Sequence, residues 1–164
     1  MNTLRYLTSL LLILLLPVAI AKETVGWVEK VRIYPGDLVL KAKIDSGAET
    51  SSLNCGCTNL IERDGEKWVS FTITNYKGDT VRLERKLERI TRIKRHFGEA
   101  QERFVIKLGV CLGSVYKETD VNLIDRTGLN YQMLIGRSFL EDSHLIDPSV
   151  TFTLQPDCKQ VVIP

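Results

Sequence analysis

The sequence predicts an all-β fold, a closed barrel or a sandwich. Three observations point there. Short runs rich in β-branched and aromatic residues recur at roughly 8–12 residue spacing, turn sequences of Gly, Pro, Asn and Asp separate them, and only one short stretch reads as helix.

Taken in order, the runs 24–33 and 37–44 are two strands joined by Tyr34-Pro35-Gly36. A helical turn is expected over Thr58 to Arg63. Trp68 to Thr74 alternates apolar and polar residues, and the turn Asn75 to Asp79 leads into a partner strand at Thr80 to Leu83. The basic cluster from Arg82 to Arg95 is interleaved with Glu84 and Glu88, which predicts a solvated face of extended or turn structure. Phe104 to Leu108 and Val110 to Leu112 flank Gly109. Glu118 to Ile124 and Leu129 to Ile135 are strands around the turn Asp125-Arg-Thr-Gly128. The helix candidate is Arg137 to Asp142, and Val150 to Leu154 and Gln160 to Ile163 are the closing strands.

The first residues read as a secretory signal peptide over 1–21: Arg5, an apolar run from Tyr6 to Ile20, then the small-x-small triplet Ala19-Ile20-Ala21. The run is short for a membrane span, and Lys22-Glu23 end it. Residues 22–164 are then expected to form a single domain, periplasmic or secreted, with no membrane association after cleavage; an uncleaved membrane anchor is the alternative. Without Arg5 the remaining charge is near +1, so neither nucleic acid nor an anionic surface is an expected partner. Cys55, Cys57, Cys111 and Cys158 make an even cysteine count in an exported chain, which favours disulfides. A bridge between Cys55 and Cys57 would be strained. Each is expected to pair with Cys111 or Cys158, or one pair forms and two thiols stay free. A four-thiolate zinc site is the weaker alternative, because Cys111 and Cys158 stand alone.

The stretch richest in chemistry is Lys43-Ile-Asp-Ser-Gly-Ala-Glu-Thr-Ser-Ser-Leu53. An apolar strand, Leu38 to Ile44, runs directly into Asp45-Ser46-Gly47-Ala48 and places a carboxylate at a strand end inside a tight turn. Gly47 suits a positive φ there, and Ser46 can bond locally to hold the turn. Later, Met133-Leu-Ile-Gly136-Arg137 breaks an apolar strand into the short helix.

In this order the two signals resemble the retropepsin-like aspartic peptidases. The resemblance is stronger still to a bacterial single-domain group sometimes labelled ATP-dependent zinc proteases. The line from Lys41 to Leu53, the stretch Val121 to Arg126, Leu134 to Leu140 and Leu145 to Ser149 carry it. It implies a closed acid-protease barrel with one short helix after the Gly-Arg segment. It implies Asp45 as the catalytic residue, with Ser46, Gly47, Ala48, Thr50, Gly136 and Arg137 supporting its loop. The substrate-covering flap is expected near His96, Phe97 and Gly98, with the turn at Lys77-Gly78 as the other option.

No second Asp-Ser/Thr-Gly accompanies the first, so the second carboxylate must come from another copy of the chain in a homodimer acting on a peptide or protein substrate. The segments Lys22 to Val31 and Lys159 to Ile163 are candidates to knit the two copies. The alternative is a catalytically silent, protease-like peptide-binding module. Neither zinc nor ATP is expected, and no cofactor at all. The chain has no His-Glu-x-x-His and no Gly-x4-Gly-Lys-Ser/Thr, and His96 and His144 are expected in loops or at the surface.

Overall fold

The computed structural model describes residues 21–93, 100–125, 128 and 130–158. Eleven strands and one short helix are described: β1 (Glu23–Gly26), β2 (Val28–Tyr34), β3 (Leu38–Ile44), β4 (Ser51–Asn54), β5 (Gly56–Arg63), β6 (Glu66–Thr74), β7 (Thr80–Ile93), β8 (Gln101–Leu112), β9 (Val115–Ile124), β10 (Met133–Ile135), α1 (Arg137–Leu140) and β11 (His144–Asp147). Strands β2, β3, β10, β4, β9 and β8 follow one another around a barrel that the β2–β8 pairing closes. Strands β7, β6 and β5 continue the sheet outward from β8, and β1 pairs in parallel with β11. The fold is the retropepsin-like barrel that the motifs implied.

Alternation builds the barrel core. Leu38, Leu40, Ala42 and Ile44 of β3 point inward, as do Val31 and Ile33 of β2 and Ile106, Leu108 and Val110 of β8. Each of the Val, Leu and Ile side chains among these contributes about 1.5–3 kcal/mol when fully buried. Short β10 matters most for the site. It runs parallel to β3 (Ile135 opposite Ile44) and antiparallel to β4 (Met133 opposite Leu53), wedging the Gly-Arg segment between the two ends of the Asp loop.

Several sequence expectations are corrected. Thr58 to Arg63 belongs to strand β5, paired with β6. Strand β7 runs to Ile93, far past Leu83, because its alternating charges face solvent while Val81, Leu83 and Leu87 pack inward. Strand β8 passes through Gly109 without a break, since Tyr116 occupies the space that a side chain there would need. The helix ends at Leu140, short of Asp142. Val150 to Leu154 is an extended strap that no ladder holds. Instead the Trp27 N–H donates to the Val150 carbonyl (3.1 Å), and the Phe152 N–H to Val28 (2.8 Å). Residues 1–20 and 160–163, with the predicted leader and last strand, lie outside the described residues. Among the described residues no helix is long and apolar enough to cross a membrane.

The structure decides between the two cysteine expectations, against pairing of Cys55 with Cys111 or Cys158. Cys111 and Cys158 are bonded to each other, so Cys55 pairs with neither and is a buried free thiol. The reason is topological: the strap returns its end to the β8–β9 turn, where the Asp157 N–H donates to the Gly113 carbonyl (2.9 Å). The side chain of Cys57 lies outside the described residues. His144 is buried rather than exposed, stacked on Phe139 at 5.7 Å between ring centroids.

Candidate active site

Asp45 follows the last residue of β3. Its N–H donates to the Ile135 carbonyl (2.9 Å), which ties the strand end to β10. One side-chain oxygen, Oδ1, accepts from the Gly47 N–H at 3.0 Å, and the Asp45 carbonyl accepts from Ala48 at 3.3 Å. The carboxylate is therefore held by its own turn and is half-buried, with Ser46 and Gly47 exposed beside it. Gly47 does not adopt a positive φ. A Cβ at Gly47 would sit 3.2 Å from Asp45 Oδ1, a tight contact with the carboxylate.

The Gly-Arg segment braces this turn from behind. The Arg137 and Ser138 N–H groups, free at the start of α1, donate to the carbonyls of Ala48 (2.9 Å) and Glu49 (3.0 Å). Arg137 Nη1 donates to the Ser46 carbonyl at 2.9 Å. The Gly136 N–H donates to Ser51 Oγ at 3.1 Å. Gly136 is required by close approach, because a Cβ there would lie 2.6 Å from the Glu49 carbonyl oxygen. Thr50 is half-buried within the same loop, and Glu49 is exposed. The turn that carries the carboxylate is thus fixed at both ends and along its back.

Two contributors went unnoticed in the sequence. Ser51 supplies the acceptor for Gly136, and the Trp27 carbonyl accepts from the Ile44 N–H at 2.9 Å just before Asp45. Trp27 is 39% exposed and packs edge-on against Tyr131. Only the apolar residue and the serine could have been noted; nothing in their spacing announces the contact.

The preferred flap residues His96, Phe97 and Gly98 lie outside the described residues. Ile93 and Gln101 are in register, so the segment containing them joins β7 to β8. The other option, the Lys77-Gly78 turn, joins β6 to β7, where Asn75 Oδ1 accepts from the N–H groups of Lys77 (2.8 Å) and Asp79 (2.9 Å). Burial pushes the Cys55 thiol up to about 11, so it stays protonated and is poorly suited to bind metal or attack. Among the described residues no cluster of His, Cys, Asp and Glu could hold a metal ion.

A family model described as RimB-like, the retropepsin-like aspartic endopeptidase RimB, matches residues 24–157. The chain belongs to the RimB-like family. Similar curated proteins include a probable alpha-L-glutamate ligase of Shewanella pealeana, 37% identical over 118 residues, covering 70% of this chain and 26% of that protein. Another, of Desulfotalea psychrophila with the same description, is 34% identical over 146 residues, 86% of this chain and 31% of that protein. The RimB-like chain thus spans between about a quarter and a third of the length of the curated relatives it matches. A Legionella pneumophila crystal structure, described as a protein with unknown function, is similar at a TM-score of 0.71 and 30% identity, covering 81% of this chain and 98% of that one.

Proposed function

We propose that this RimB-like chain is an exported aspartic endopeptidase whose active site forms between two copies, each contributing one Asp45. The observation that carries the reading is the bracing of a single carboxylate by the Gly47 N–H, Arg137 and the start of α1. Such a turn holds its acid in one place, as a hydrolytic carboxylate needs. Two carboxylates brought close across a two-fold axis cannot both ionise, so one keeps a proton. The ionised member takes a proton from a bound water, and the protonated member polarises the scissile carbonyl. Retention of one Asp turn per chain makes the two-fold partner part of the proposal. The Cys111–Cys158 bond and the apolar Tyr6 to Ile20 run support an oxidising compartment outside the cytoplasm.

Peptide-library digestion tests this, with wild type beside Asp45→Asn from acid to neutral pH and oligomeric state measured in parallel. Cleavage by wild type that disappears in Asp45→Asn supports the proposal. No cleavage by a folded dimer overturns it and favours the silent peptide-binding module, because the same braced turn can serve as scaffold alone.

A further inference from the structure

We propose that the open cleft where β8 changes neighbours is a saccharide-binding site, separate from the Asp45 turn, that takes an uncharged mono- or disaccharide.

Sheet register creates the cleft. Strand β8 pairs with β7 as far as Ile106, opposite Leu87, and with β2 from Gly109, opposite Tyr34. Between those points the sheet forks, because β7 leaves with β6 while β2 takes its place beside β8. The opening has a volume of about 300 Å³, with Trp68 of β6 on one side and Tyr34, Pro35 and Tyr116 on the other. Gly109 lies between them. A Cβ there would come within 2.4 Å of the Tyr116 hydroxyl, so only glycine lets that ring lie across β8. Tyr116 is 41% exposed and stands edge-on to Tyr34, with ring centroids 6.0 Å apart. On the far side, the Arg63 guanidinium stacks on the Trp68 ring at 5.1 Å and holds it in place. From Trp27, level with Ile44, to Tyr34 is the full length of β2, so the cleft lies roughly 20 Å from Asp45.

The charges around the cleft select an uncharged ligand. Arg85 shares the inward side of β7 with Leu83 and Leu87, yet it is a cation and lines this opening. Lys86 and Lys107 line it too, but Glu66 and Asp120 hold their ammonium groups. Glu88 and Glu118 complete the rim. Among the described residues, Arg85, Glu88 and Glu118 take part in no salt bridge. An anion would meet the glutamates and a cation would meet the basic groups, so the rim favours neither. A hydroxyl group donates and accepts at once. A sugar can therefore donate to Glu88 and Glu118 and accept from Arg85 in charge-assisted bonds. Its C–H faces are apolar and pack against aromatic rings, which Tyr116, Tyr34 and Trp68 supply. Size agrees, since small-molecule sites run from roughly 300 to 1,000 Å³ and this cleft sits at the low end.

Calorimetric titration with N-acetylchitobiose, cellobiose and maltose tests the site, with triglutamate and trilysine as charged comparisons. The proteins are wild type, Tyr116→Ala, Glu118→Gln and Asp45→Asn, each first checked by thermal melting. At least one saccharide is expected to bind wild type and Asp45→Asn equally. Tyr116→Ala should weaken that binding about tenfold, as loss of an aromatic anchor does. Glu118→Gln, which keeps the side-chain shape, should weaken it several-fold, and it decides the matter if Tyr116→Ala does not fold. No saccharide binding tighter than about 10 mM overturns the inference. So does binding that these two variants leave unchanged, or a charged peptide that binds better than every sugar. Peptide cleavage is no part of this test, so failure of the peptidase reading leaves its outcome unaffected.

Discussion

A Cβ at position 136 would meet the Glu49 carbonyl at 2.6 Å, so Gly136→Ala must push the Asp loop away from α1. Overpacking of this kind costs about 1–3 kcal/mol. Because the displaced atoms belong to the loop carrying Asp45, activity should fall more steeply than stability. Thermal melting beside turnover of one peptide checks this, and equal losses in both would argue against a tight link. Ser51→Ala removes only the hydroxyl acceptor for Gly136 and should cost about 1 kcal/mol. At Cys55 the high thiol pKa predicts slow reaction with iodoacetamide in the native chain and fast reaction after unfolding. Rapid native labelling, assigned to Cys55 by peptide mapping that separates it from Cys57, would show that the site opens. Asp45 and Gly136 were legible from residue type and order. Gly47 was selected for the right turn but for the wrong reason, since it keeps a negative φ and a Cβ there would instead crowd Asp45 Oδ1.

Among the elements, α1 and β11 work as one unit. Lys117 donates to the Phe139 carbonyl at the end of α1 (2.7 Å), and Phe139 stacks on His144 of β11. Burial lowers the His144 pKa below 6.5, against the opposing pull of Glu23, whose carboxylate lies 4.0 Å from Nε2. Lys117 also disfavours the charged imidazole, while Ser143 Oγ faces Nδ1 at 2.9 Å. The unfolded chain therefore binds this proton more readily than the folded one. The His144 contribution to stability is complete above pH about 6.5 and declines as pH falls below it. His144→Phe keeps the stack and should flatten that decline in melting temperatures between pH 4.5 and 7.5. An unchanged slope would place the acid sensitivity elsewhere. Strand β11 escaped the sequence reading because it is held by parallel pairing with distant β1, and His-Leu-Ile-Asp has no alternating pattern of its own.

Over the whole molecule the C-terminal strap closes the barrel. Glu29 is fully buried, and its carboxylate accepts from the Gly26 N–H (2.8 Å), the Thr153 N–H (3.0 Å) and hydroxyl (2.5 Å), and the Leu154 N–H (3.2 Å). The Cys111–Cys158 bond anchors the strap end across 47 residues of chain. In the chain-entropy view such a crosslink contributes about 4 kcal/mol. Cys158→Ser should lower the denaturation midpoint accordingly and speed hydrogen exchange at Trp27 and Phe152, whose N–H groups pair the strap to the edge of the site. A loss of stability with no change in exchange there would separate the crosslink from the strap.

By itself the sequence determined the local matters: strand after strand by alternation, a carboxylate at a strand end, a glycine-arginine break into a short helix, and membership of the acid-protease barrels. Those features depend on neighbours in the chain, so spacing reveals them. Only the tertiary structure decided which cysteines meet, that a buried glutamate holds the strap, and that Trp27 and Ser51 brace the Asp turn. Each of those depends on residues brought together from distant positions by sheet register and chain return, and neither quantity is encoded in local pattern.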